Sequence, residues 1–178
     1  MSQIGVLGAG SWGTALAIQA ARAGCEVKLW ARDADLANRM AERRENAKYL
    51  PGHELPEEIE PISEMRYLEG SEVMIVVVPS HGFRQVVREF LASWGGREPL
   101  IMISATKGIE VDTTSRMSEV VEDESLKAGR ETRFAVLAGP SFAAELADRQ
   151  PTAAVIASRT KELAEELSEL LSRFADSK

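Results

Sequence analysis

The chain has 178 residues, of which 44% are hydrophobic and 28% charged, and a formal charge of −7. That is a globular composition, and the length suits one domain with its own core. One cysteine (Cys25) and two histidines (His53, His81) exclude a disulfide framework and a Cys- or His-rich metal centre, and 28 acidic against 21 basic residues argue against a nucleic-acid-binding surface while leaving room for a local basic pocket.

Short apolar runs alternate with longer periodic ones. Gln3–Leu7 reads as a strand that stops at glycine, and residues 14–23 as an alanine-rich helix closed by Gly24. Glu26–Trp30 is a second strand, after which Asp33 is placed to cap a helix running to Arg44. Residues 45–61 hold three prolines without a clean period and predict a long loop, followed by a short helix over 62–68. Residues 73–78 are continuous and β-branched, as a strand buried on both faces should be. An amphipathic helix over 83–94, a strand at Leu100–Ser104 and a helix over 114–124 follow. Strands over 133–137 and 153–157 flank a short helix over 142–147, and an acidic helix over 160–173 closes the chain. Six strands alternating with helices predict right-handed βαβ units in a doubly wound, mostly parallel Rossmann-type α/β sheet, with helices on both faces and no internal domain boundary. No apolar run approaches the ~20 residues of a membrane span, and no basic-then-apolar leader opens the chain, so a cytoplasmic protein is expected.

Gly8-Ala9-Gly10-Ser11-Trp12-Gly13 is a G-x-G-x-x-G that directly follows the first strand and opens the first helix. Gly8 suits a tight turn, Gly10 lets a pyrophosphate approach the backbone, and Gly13 lets helix and strand pack closely. The helix amides, with Ser11 and Trp12, would then hold the phosphates. The bland alternative is a turn without a ligand. An NAD site usually carries an acid about 20 residues after the glycines. Here the second strand ends Leu29-Trp30-Ala31-Arg32-Asp33. The Arg32 guanidinium suits a 2′-phosphate and favours NADP over NAD, while Asp33 leaves dual use open. Read blandly, Arg32 is a solvated surface residue and Asp33 only a cap.

Ligands of this fold bind outside the carboxyl ends of the strands. Lys107 stands at such an end before a glycine, placed to hold a phosphate or an alcohol oxygen. Gly139-Pro140-Ser141 opens the short helix, where Ser141 serves as a ligand group or only as a cap. His81 is expected to pack or cap rather than catalyse, Cys25 to fill core space, and Trp30 and Trp94 to pack.

These segments carry a resemblance. Gly8-Ala9-Gly10-Ser11-Trp12-Gly13-Thr14-Ala15-Leu16-Ala17, Asn46-Ala47-Lys48-Tyr49-Leu50-Pro51, Val78-Pro79-Ser80-His81, Ala105-Thr106-Lys107-Gly108-Ile109-Glu110 and Ala138-Gly139-Pro140-Ser141-Phe142-Ala143-Ala144-Glu145, in that order, resemble the bacterial NAD(P)-dependent glycerol-3-phosphate dehydrogenases. The resemblance implies reversible reduction of dihydroxyacetone phosphate to sn-glycerol 3-phosphate for phospholipid synthesis, with hydride passing between nicotinamide C4 and substrate C2. It implies that Ser11, Trp12, Arg32 and Tyr49 contact NADPH or NADH, and that Lys107 contacts cofactor and substrate. Gly139 and Ser141 would line the substrate side and Ala143 the cofactor side. The family continues into a helical C-terminal domain that carries the proton-transfer lysine, so no catalytic residue is expected in this chain. Lys178 does not match that lysine, and residues 1–178 read as the cofactor-binding half, inactive alone, with a homodimer implied for the full-length enzyme. A dehydrogenase of the same fold for another hydroxy acid, and a non-catalytic dinucleotide-binding module, are the competing readings.

Overall fold

In a computed structural model the described residues are 2–96, 99–139 and 142–176, with side chains described as far as Ser172. Pro140 and Ser141 lie outside them. Seven strands form one sheet: β1 (Gln3–Leu7), β2 (Glu26–Trp30), β3 (Ile59–Ile62), β4 (Val73–Val76), β5 (Leu100–Ser104), β6 (Thr132–Ala138) and β7 (Val155–Ser158). Their spatial order is β3-β2-β1-β4-β5-β6-β7. All neighbouring pairs run parallel except β6 and β7.

The six helices are α1 (Ser11–Arg22), α2 (Ala34–Arg43), α3 (Ser80–Ser93), α4 (Met117–Ala128), α5 (Ala143–Ala147) and α6 (Lys161–Asp176). Side chains of α1, α2, α5 and α6 fill one apolar cluster on one face of the sheet. Those of α3 and α4 fill a second cluster on the other face, around Phe83, Phe90 and Met74. Burying each phenylalanine fully contributes roughly 1.5–3 kcal/mol. The central strands are buried on both faces because both layers are helical, which is why β4 reads as an unbroken apolar run.

Local chemistry sets the ends of the elements. Asp33 Oδ1 accepts the amides of Asp35 and Leu36 and caps α2. After α1, Gly24 adopts φ +82°. Its amide donates to Ala21 O and that of Cys25 to Ala20 O, which closes a Schellman turn. Cys25, Trp30 and Trp94 are buried, as expected of packing residues.

The structure corrects several sequence expectations. Residues 45–61 are not all loop, because β3 begins at Ile59 and pairs with β2. Pro61 hides this strand in the sequence, and it is tolerated because β3 is the sheet edge and lacks a neighbour on its outer side. The helix expected over 62–68 shrinks to a 3-10 turn at Met65–Leu68. The β4 strand ends at Val76 rather than residue 78, with the Val77 amide still donating to Leu7 O as the last rung of the ladder to β1. Both α1 and α3 start three residues earlier than their patterns suggest, at Ser11 and Ser80. The fourth helix starts at Met117, with the Arg116 amide donating to Glu119 at its cap. The last strand begins at Val155 instead of residue 153 and runs antiparallel.

Candidate functional site

Strand order reverses between β1 and β4, so the chain leaves the carboxyl ends of these two neighbours in opposite directions. The crevice this opens is where doubly wound folds take ligands. The glycine turn and residues 77–79 stand on its two sides, and a cleft of about 580 Å3 extends from there past Arg32, Asp33, Lys48, Tyr49 and His81.

The three glycines do different things. Gly8 has φ +123°, and a Cβ there would lie 2.3 Å from Val77 O. A Cβ on Gly13 would lie 1.9 Å from Gly8 O. Neither position admits a side chain. Gly10 is in relaxed extended backbone, φ −73° and ψ −179°, and a Cβ there would meet nothing within 4 Å. It faces the cleft. The empty space above Gly10 and the tight fit at Gly8 and Gly13 suit a pyrophosphate crossing the turn. The first intrahelical bond of α1 is Thr14 N to Gly10 O, and no side chain caps the helix. The amides of Ser11, Trp12 and Gly13 therefore precede the ladder, and the positive end of the helix dipole opens on the turn.

A basic wall completes one side. Arg32 and Lys48 are exposed, line the cleft and have no ion-pair partner among the described residues. Lys48 Nζ sits 4.9 Å from the centre of the Tyr49 ring, itself 42% exposed. Asp33 lines the same cleft, but one of its carboxylate oxygens already accepts two helix amides. His81, expected to pack or cap, is instead exposed on the cleft wall.

Lys107 follows the end of β5 and is exposed. Its backbone is pinned from both sides. Thr106 Oγ1 donates to Val78 O at 2.9 Å and to Val76 O at 3.3 Å, tying the end of β5 to that of β4. Three residues on, both Glu110 oxygens accept from Arg84 of α3, at 2.7 and 2.8 Å. Arg84 also donates to Asp123 and to Glu124 of α4, and Arg88 donates to Glu124 at 2.8 Å. Hydrogen bonds from Arg84 hold the Glu110 carboxyl at about 2, and those from Arg88 and then Arg84 hold that of buried Glu124 at about 2. Arg84 is raised in turn, chiefly by Glu110.

Gly139 stands beyond β6, where a Cβ would lie 2.5 Å from Ala153 O. This glycine has a packing reason beside any ligand role. Ala143 opens α5 and packs, with Trp12, onto the apolar cluster of the α1 face. Ser141 lies outside the described residues, so it is not placed relative to them.

Sequence reasoning assigned no role to Asn46. Its side chain is fully buried and donates from Nδ2 to Ala9 O (2.9 Å) and to Thr14 Oγ1 (2.8 Å). No local signal announces that burial, because it arises where the loop after α2 crosses the glycine turn.

A doubly wound sheet with a turn of this shape at its switch point defines the dinucleotide-binding class of α/β domain. Residues 3–164 match the family described as the NAD-dependent glycerol-3-phosphate dehydrogenase N-terminus, and the chain belongs to that family. It is 42% identical over 165 residues to a glycerol-3-phosphate dehydrogenase [NAD(P)+] of Anaeromyxobacter sp. (strain K), covering 92% of this chain and 49% of the relative. It is 43% identical over 169 residues to that of Azorhizobium caulinodans, covering 95% and 50%. The crystal structure of glycerol-3-phosphate dehydrogenase from Coxiella burnetii superposes with a TM-score of 0.86 at 34% identity, covering 96% of this chain and 50% of that one. The chain thus spans about half the length of the curated relatives it matches. No helix among the described residues is long and apolar enough to cross a membrane.

Proposed function

We propose that this chain is the cofactor-binding half of a cytoplasmic NAD(P)-dependent enzyme that interconverts dihydroxyacetone phosphate and sn-glycerol 3-phosphate for phospholipid synthesis, with NADPH preferred over NADH. The observation that carries the reading is the turn at residues 8–13, closed to a side chain at Gly8 and Gly13 and open at Gly10. NAD(P)H, when bound, supplies the hydride. The amides of Ser11, Trp12 and Gly13 receive its pyrophosphate, with Gly8 and Gly10 shaping the path. Tyr49 and Ala143 flank the cofactor. Arg32 takes the 2′-phosphate in a charge-assisted contact. The capping bonds already made by Asp33 support that preference, since an NAD site needs its acid for the ribose hydroxyls. Lys107 holds the substrate end against the cofactor, and Gly139 and Ser141 line the substrate side. The proton that accompanies the hydride comes from a lysine of a helical C-terminal domain outside this chain, in a homodimeric enzyme without a nucleic-acid partner. Proton and hydride transfer share one closed site, so this half alone binds cofactor without turning over substrate.

Titration with NADPH and NADH tests the reading, with Arg32→Ala alongside. The parent chain should bind both, NADPH more tightly. The variant should lose about 10- to 100-fold in NADPH affinity and little in NADH affinity, as expected for one or two charge-assisted hydrogen bonds. Equal losses for both cofactors would overturn the role of Arg32. Absence of binding would overturn the whole assignment.

A further inference from the structure

Asn46 joins the glycine turn to the loop that follows α2, and both line the cleft. Its Nδ2 donates to the carbonyl of Ala9, inside the glycine turn, and to the hydroxyl of Thr14, on the first turns of α1. Its Oδ1 accepts from the amide of Tyr49 at 3.3 Å, and its carbonyl accepts from Leu50 at 2.8 Å. These bonds span 37 and 32 residues on one side and 3 on the other. The side chain is fully buried, so water does not substitute for them. Ala9 and Thr14 fix where the turn sits. Lys48 and Tyr49, carried by the Asn46 loop, line the same cleft.

Alternatives at this end of the molecule carry less. Arg44 ties the same loop further back, through the carbonyls of Leu55, Pro56 and Ile59, and reaches neither the turn nor the cleft. The larger groove between α4 and β7 is lined by arginines that are already paired, Arg116 with Glu119, Arg133 with Glu166 and Arg159 with Glu122.

We infer that Asn46 is a positioning residue for the dinucleotide: it holds the glycine turn and the Lys48–Tyr49 segment at the separation the cofactor needs, acting through both and touching neither phosphate nor base. This rests on the cofactor-binding assignment above. An amide suits the site because the two partners on the turn side, a carbonyl and a hydroxyl, both take donated hydrogens from Nδ2, while Oδ1 shares the Tyr49 amide with the Asn46 carbonyl, which accepts it at 3.2 Å. Aspartate keeps the shape and the acceptor but brings a charge against Ala9 O. Burial raises the pKa of that carboxyl, so lowering the pH protonates it and restores a donor.

The test measures NADH affinity by fluorescence titration from pH 8 to pH 5.5, well below the melting temperature, for the parent, Asn46→Asp and Thr14→Val. NADH serves because it lacks the 2′-phosphate that would itself titrate in this range. Relative to the parent at each pH, Asn46→Asp should bind about tenfold or more weakly at pH 8 and recover part of the loss at pH 5.5, as follows from one or two lost hydrogen bonds and one regained. Thr14→Val removes a single acceptor without changing side-chain shape and should weaken binding by about 2- to 5-fold. It decides the matter if Asn46→Asp fails to fold. A purely structural role lowers the melting temperature and leaves the affinity of the folded protein, and its pH profile, at parent values. That result would overturn the inference while the parent still binds NADH. Failure of the parent to bind NADH would instead overturn the cofactor assignment beneath it.

Discussion

Replacing the glycines one at a time separates folding from binding. Gly10 already has backbone angles that alanine adopts without strain, and its Cβ would enter open space. Gly10→Ala should therefore leave the fold intact and raise its stability slightly, by about 0.4–1 kcal/mol, because the unfolded chain loses freedom. For a domain of this size that is an increase of about 1 to 4 °C in melting temperature. The same methyl projects where the pyrophosphate would lie. Overpacking of that order costs about 1–3 kcal/mol, which weakens NADPH binding by about 5- to 150-fold. Gly13→Ala is the opposite case. Its Cβ would stand 1.9 Å from Gly8 O, so the start of α1 must move off the turn by about 1 Å or more before the contact is tolerable. That should cost about 3 kcal/mol or more, and about 6 to 12 °C in melting temperature. Thermal unfolding and NADPH titration on the same three proteins give both quantities. Parent-like NADPH affinity in Gly10→Ala would refute the placement of the pyrophosphate over Gly10. Unfolding of Gly10→Ala on the scale of Gly13→Ala would refute the division of labour among the glycines.

Two further substitutions probe the frame around Lys107 and the end of β6. Glu110 and Glu124 are held at about 2 in the folded chain, against 4.5 for a free side chain, so between those values the unfolded chain binds more protons. The stability they contribute is fully present above about pH 4.5 and is lost as the pH falls toward 2. Urea midpoints taken from pH 6 to pH 3 should drop in the parent and drop less in Glu124→Gln, which already starts about 2 kcal/mol lower because Arg88 and Arg84 lose their buried partner. Identical acid dependence in both proteins would show that Glu124 contributes nothing to it. Gly139→Ala should lower the melting temperature whether or not cofactor is bound, through the 2.5 Å approach to Ala153 O; unchanged stability would leave a ligand role as the sole reason for this glycine.

Legibility in the sequence followed the range of the forces involved. The doubly wound order was readable because each βαβ unit is built from neighbouring segments whose period and end signals are local, as with the Asp33 cap and the Gly24 stop. The glycine turn was readable for the same reason: its three glycines fall within six residues of one another, although Trp30, Asn46 and Val77 also hold it from a distance. What escaped depends on distant partners. The β3 strand was hidden because Pro61 is a breaker everywhere except on an outer edge, and being outermost is a property of the whole sheet. The reversed direction of β7 follows from the short path after α5, which no periodicity encodes. Asn46 looked like one more loop residue. Its burial exists only because residues 45–50 cross over α1, and only then does an amide with three hydrogen-bonding directions become the joint between two walls. His81 precedes the helix predicted over 83–94; the helix begins at Ser80, and its first turn sets His81 on the cleft wall.

The Pro61 strand has a meaning for the chain in solution at high concentration. An exposed sheet edge invites another strand to pair with it, and growth by that route ends in aggregates. The amide of Val27 donates to Glu58 O, and that of Ala31 to Ile62 O, so the even-numbered residues of this segment turn inward. Ile59 and Pro61 are left facing outward. The Ile59 amide is already taken by Pro56 O, and Pro61 has no N–H to offer. A strand arriving from outside finds no donor anywhere along β3, and beside the empty row stands the exposed carboxylate of Glu60, held by Lys28. The irregularity that masked this strand in the sequence is what keeps one copy of the sheet from continuing into the next.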